Sequence, residues 1–154
     1  EAFLYRGSAS LNQKDNDNAL KDFEKAITLG VNDAETHKNV GDIRFLKSDF
    51  AGAVKSYDNS ITLSATDAIT FNNRGKAKFN LKDFKGSIPD FTKALELNSD
   101  YDKALENRAE ASYNLQDWKS SAADFEKLVA KGIRTPRSGA EERGIAAVTV
   151  LRAP

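Results

Sequence analysis

Cysteine and methionine are absent from the 154 residues, and histidine and tryptophan occur once each. Without cysteine there is no disulfide framework, no thiolate metal site, no iron–sulfur cluster and no thiol nucleophile. One histidine argues against a multi-histidine metal centre or relay, so neither a metal nor a cofactor is expected. An excess of charge is missing too: 23 basic and 23 acidic residues cancel. Broad attraction to nucleic acid or to an anionic membrane surface is therefore not expected. No apolar run approaches the ~20 residues of a spanning helix, so no membrane insertion is expected. No signal-peptide pattern opens the chain. The missing initiator methionine suggests a piece of a longer chain, which leaves the compartment open, with the cytoplasm favoured. Phosphate-loop, nucleophile-elbow, zinc-protease and EF-hand patterns are all absent, so no enzyme is expected.

What is present is a period. Shifted by 34 residues, the chain aligns with itself without a gap. Gly7, Gly41, Gly75 and Ala109 share one column, and Phe23, Tyr57, Phe91 and Phe125 another. Small residues fill a third (Ala19, Ala53, Ser87, Ser121) and nearly fill a fourth (Ala26, Ser60, Ala94, Leu128). Asp15, Asp49, Asp83 and Asp117 form an unbroken acidic column, followed by Asn16, Phe50, Phe84 and Trp118. Each unit has the pattern of two helices. In the second, Phe50, Ala53, Val54, Tyr57 and Ile61 recur at helical spacing, and in the first Phe71, Gly75 and Phe79 do so. The Asp column is placed to cap the second helix, as Asp33 and Asp67 are to cap the first, because a carboxylate accepts from unpaired amides there. A hairpin of this kind cannot bury its own apolar faces, so neighbouring hairpins must stack.

The 34-residue helix pair and its order of glycine, small, aromatic and small columns resemble the tetratricopeptide repeat family. The resemblance spans residues 1–133 as four repeats, 1–32, 33–66, 67–100 and 101–133. It implies an all-α, right-handed superhelical solenoid of four antiparallel helix pairs. Residues 134–154 would form a capping helix, with Ile145, Val148 and Leu151 on the last repeat, or a tail. Half of the eight arginines lie in that segment and none of the lysines. The family's proline after the second helix is replaced by Val31, Ala65, Ser99 and Ile133. Its leucine before the glycine column is replaced by Arg6, Arg74 and Arg108.

Those arginines have partners sixteen residues on, Asp22, Asp90 and Asp124; in the second repeat both change together, to Val40 and Ser56. This joint change predicts an Arg–Asp bridge within or across repeats, a registry device more than a source of net stability. Pro89, inside a second helix, predicts a late start or a kink near Gly86. His37 and Trp118 occupy packing columns and are expected in the core.

The resemblance implies that first helices line a concave groove. Positions spaced 4, 3 and 4 apart stay on one side of a helix. They are Glu35, Asn39, Asp42 and Leu46, then Ile69, Asn73, Lys76 and Asn80, then Lys103, Asn107, Glu110 and Asn114. Asn39, Asn73 and Asn107 form a column, with Tyr5 in the first repeat. An amide donates and accepts, so such a ladder could pair with a peptide backbone whatever its sequence. It resembles the ladder in the tetratricopeptide region of O-linked N-acetylglucosamine transferases. Compared with the carboxylate clamps of chaperone-binding members, the positions hold Lys38, Asp42, Asn73, Lys103 and Asn107. Three of the five match, and Asp42 would repel a carboxylate. The function expected is a protein-interaction scaffold that holds an extended, neutral segment, with Phe45, Phe79 and Tyr113 shaping the walls. The alternatives are the recognition region of a larger enzyme, or self-association through an end of the solenoid, with a monomer or a weak oligomer as the state.

Overall fold

The computed structural model describes residues 1–133. Eight helices run in order: α1 (Ala2–Asn12), α2 (Asn16–Thr28), α3 (Ala34–Leu46), α4 (Phe50–Leu63), α5 (Ala68–Asn80), α6 (Phe84–Leu97), α7 (Asp102–Asn114) and α8 (Trp118–Ala130). No strand occurs among the described residues. Consecutive helices pack on one another along the whole series, so the pairs stack as a solenoid. Beyond neighbours in sequence, α3 touches α5 and α5 touches α7, whereas α4 and α6 make no comparable contact. First helices are thus crowded on the inner side and second helices splay on the outer. The capping helix expected in 134–154 lies outside the described residues.

Local chemistry sets the helix starts. Asp15, Asp49, Asp83 and Asp117 each accept from the amide three residues on, at 2.8–3.2 Å. Asp33 and Asp67 do the same for α3 and α5. Only the described first helix α7 follows a tyrosine, Tyr101, in place of the capping aspartate of α3 and α5. The turn before each second helix has a feature not foreseen in the sequence. Lys14, Ser48, Lys82 and Gln116, one 34-residue column, all hold φ between 61° and 66°. The amide after each bonds back to the carbonyl five residues earlier, as in Asp83 N to Lys78 O at 3.0 Å. This is a helix-ending motif in which glycine is the usual residue.

The core is built by the columns. Phe23, Tyr57 and Phe91 are fully buried. Each ring packs directly against the glycine column of its partner helix: a Cβ built on Gly41 or Gly75 would meet the Tyr57 or Phe91 ring at 2.6 Å. A methyl does not fit there without moving a buried ring.

Two expectations are corrected. Of the late start or kink expected at Pro89, the late start does not occur: α6 begins at Phe84, the column where α4 begins at Phe50. Asp83 caps it, and Pro89 lies on the exposed side of α6, so the hydrogen bond it removes is on the solvent side of the helix. Trp118 is not in the core but 44% exposed. Its column staples the turn instead: Phe45–Phe50, Phe79–Phe84 and Tyr113–Trp118 meet edge to face at 4.9–5.3 Å. The tip of a hairpin is too thin to bury such rings, so they shield one another. His37 is buried, with Nε2 3.1 Å from Asn32 Oδ1.

Candidate functional site

The arginines before the glycine column tie together the two helices of their own hairpin. Arg6, Arg74 and Arg108 each grip the aspartate sixteen residues on through Nε and Nη2, at 2.5–3.1 Å. The Asp22, Asp90 and Asp124 carboxylates are buried, and the paired fork satisfies both oxygens of each. Arg74 also reaches back to Asp58 of the preceding repeat, 2.7 Å away. Burial works against its charge, but Asp90 and Asp58 prevail and raise its pKa. In the second repeat the job passes to Arg44, one turn later, which bonds Ser56 at 2.9 Å and Glu24 at 2.7 Å. These groups hold the register of the scaffold and leave the inner face to other residues.

On the inner face a polar network crosses three repeats. Asp42 on α3 is its hub. Its carboxylate accepts from Lys38 at 2.9 Å, from the Tyr57 hydroxyl at 2.8 Å and from the Asn73 amide at 3.0 Å. Asn73 accepts in turn from Asn72, at 3.4 Å, and Asn72 accepts from Asn107 on α7 at 2.8 Å. The amides of Asn73 and Asn107 are therefore oriented by the protein, each through one hydrogen bond to a neighbouring repeat. Asn39 is half-buried on α3 and makes no hydrogen bond among the described residues. Asn72 was missed in the sequence although it is buried and joins two ladder positions. The signal was there, since Asn72 shares a column with Lys38.

The cations differ from one another. Lys38 is neutralised by Asp42, and Lys103, more exposed, pairs with Glu106 at 2.7 Å. Lys76 on α5 has no ion pair among the described residues and lies 4.9 Å from the Phe45 ring centre. Burial, with the nearby Lys103 charge adding to it, pushes its ammonium below the usual lysine range, and Asp42 opposes this. Asn80 and Asn114 are exposed and turn their amides onto the carbonyls of Lys76 and Glu110, at 2.8 and 2.7 Å, closing the last turns of α5 and α7. Tyr5, Leu46 and Ile69 add exposed apolar surface.

Repeated helix pairs with inward polar residues define a helical-repeat protein. Tetratricopeptide repeat models match the chain over residues 1–29 and 72–136. The chain belongs to the tetratricopeptide repeat family. No curated protein matches it in sequence. Among solved structures it is similar to the MamA protein, at 19% identity and a TM-score of 0.80, over 84% of this chain and 70% of that one. It is similar to the Arabidopsis OM64 tetratricopeptide domain, at 29% identity and a TM-score of 0.68, over 72% of this chain and 93% of the other. A third similar structure is the second such domain of Spaghetti (RPAP3) bound to the HSP90 peptide SRMEEVD, at 25% identity and a TM-score of 0.61, over 63% and 90% of the two chains. Such repeats serve as protein-interaction scaffolds. Among the described residues no helix is long and apolar enough to cross a membrane.

Proposed function

We propose that the inner face of α1, α3, α5 and α7 binds an extended segment of another protein, and that residues 1–133 act as one four-repeat binding unit without enzymatic activity. The observation that carries this reading is the network from Lys38 to Asn107. It spends one hydrogen of the Asn73 and Asn107 amides inside the protein and leaves the second for a guest, so part of the ordering cost of binding is met in advance. Packed helices lie ~8–10 Å apart and an extended chain rises ~3.3 Å per residue, so successive rungs meet a peptide backbone about every third residue. Asn39, Asn73 and Asn107 are the rungs; Asn80 and Asn114 flank them at the groove's rim. The peptide held by the RPAP3 domain supports a groove of this use. The segment fitting this chain differs in charge: Asp42 lies where a carboxylate-binding groove would need a neutral donor, and Lys38 and Lys103 are already paired. Of the three groove lysines, Lys76 alone has no ion pair among the described residues, which suits a largely neutral segment carrying one acidic side chain near it.

A peptide-library pull-down with the wild type and with Asn39→Ala/Asn73→Ala/Asn107→Ala tests the reading. At about 1 kcal/mol for each backbone bond, the triple change should weaken captured peptides by roughly a hundredfold. Peptides that bind the folded triple variant with unaltered affinity would overturn it.

A further inference from the structure

Phe3, His37, Phe71 and Leu105 share one 34-residue column, and His37 is its only polar member. Phe71 shows what the column does. Its ring is buried and joins one core cluster with Ile61 of the preceding repeat, which closes α5 onto α4. One repeat earlier the counterparts are His37 and the half-buried Ile27, and imidazole is smaller than phenyl. The helix before it is also shorter. α2 stops at Thr28, one residue before Leu29, the counterpart of the Leu63 and Leu97 that end α4 and α6. Gly30, at φ 97°, turns the chain there, and Val31 N bonds back to Ala26 O at 3.1 Å. Accordingly α3 packs less closely on α2 than α5 does on α4 or α7 on α6. What is left open is a cleft of about 350 Å³ between the ends of α2 and α4. Ile27, Val31 and Leu63 are its apolar lining, and His37, Asn32 and Asn59 carry polar groups into it. None of the described residues lining it is charged.

His37 is only 7% exposed. Its Nε2 donates to Asn32 Oδ1 at 3.1 Å, because an amide oxygen can only accept. In a neutral ring that leaves Nδ1 as an acceptor, and Nδ1 has no hydrogen bond among the described residues. Every fully buried side-chain nitrogen or oxygen among them does have a partner. Nδ1 is therefore not sealed in the core; it opens onto the cleft that its ring lines.

We propose that this cleft binds a neutral phenol, with the ring in the space that a phenyl group fills one repeat later and the hydroxyl donating to His37 Nδ1. The apolar lining suits the ring, the free acceptor calls for a donor on its rim, and the uncharged walls disfavour an ion. The volume lies at the lower end of the ~300–1,000 Å³ of small-molecule sites. A free small molecule and a tyrosine side chain of another protein present the same group. The cleft lies between second helices, on the outer side, so it is separate from the inner face and does not depend on what that face binds.

Titration of the isotope-labelled full chain with phenol, followed by NMR at about pH 8 where an imidazole is ordinarily neutral, tests this. Amide shifts should centre on Ile27, Val31, His37 and Leu63, with a Kd on the order of 1 mM. Anisole, whose oxygen cannot donate, should bind about fivefold more weakly, the worth of one hydrogen bond. His37→Phe, which copies Phe3 and Phe71, should keep the helical circular dichroism and weaken phenol binding about tenfold by filling the space. His37→Leu, which copies Leu105, serves as a second folded background. N-acetyltyrosinamide separates the two sources: binding as tight as that of phenol assigns the site to a tyrosine side chain, and binding of phenol alone assigns it to a free small molecule. Shifts centred away from the cleft, equal affinity for phenol and anisole, or unaltered affinity in the folded His37 variants would each overturn the proposal.

Discussion

Arg74 and Asp90 show how much a single pair can decide. The carboxylate of Asp90 is buried and held by Arg74 at 2.5 Å and by Lys78 at 2.8 Å. Removing one partner leaves a buried charge short of donors, whereas removing both leaves none. Arg74→Leu and Asp90→Leu should therefore each lower unfolding stability by about 1–3 kcal/mol, and the double variant by at least 1 kcal/mol less than their sum. Denaturant melts of the four chains check this, and additive losses would show that the pair is not coupled. The pairing was legible in the sequence because arginine and aspartate disappear together in one repeat. The back-reach of Arg74 to Asp58 was not resolved there, since a spacing of sixteen runs in both directions along the chain.

At the scale of the element, capping and the left-handed turn residue define each hairpin. The caps were legible as an acidic column. The turn was not, because Lys14, Ser48, Lys82 and Gln116 are ordinary polar residues and none is the glycine or asparagine that marks a left-handed position; the backbone, at φ 61–66°, unites them. Side chains other than glycine sit in that region at a cost of about 1 kcal/mol. Gln116→Gly should accordingly raise stability by about 0.5–1 kcal/mol, part of the gain being offset by the freer unfolded chain. Gln116→Ala should change little. Thermal melts distinguish them, and a destabilised Gln116→Gly would show that the turn is not strained. Trp118 teaches the reverse lesson. Its column looked like core because aromatics usually are, yet hairpin tips expose two faces and a ring there is only half covered.

The whole molecule responds to pH at both ends of the scale. Hydrogen bonds from Arg6, Asn18 and Ser120 hold Asp22, Asp15 and Asp117 below the usual 3.8. The unfolded chain binds these protons first, so their contribution is complete well above pH 3.8 and is lost as the pH falls through and below that value. Tyr57 behaves oppositely: burial, then the charge and hydrogen bond of Asp42, push its hydroxyl far above its usual 10.0. The folded state keeps that proton while the unfolded state releases it, so stability should fall from pH 10 upward. Melting temperature against pH should form a plateau with two falling limbs. Tyr57→Phe should flatten the alkaline limb, and an unchanged limb would remove Tyr57 from the account.

The period, the aspartate caps and the stacking of helix pairs were all present in the residue order. They depend on local propensity and on a 34-residue repetition that any one-dimensional comparison detects. Which of the groove asparagines are already engaged was settled by packing. Asp42 meets Asn73 across 31 residues and Asn107 meets Asn72 across 35. Such contacts exist only once the curvature of the stack brings successive inner helices together, and that curvature is a property of the assembled columns, not of any one repeat.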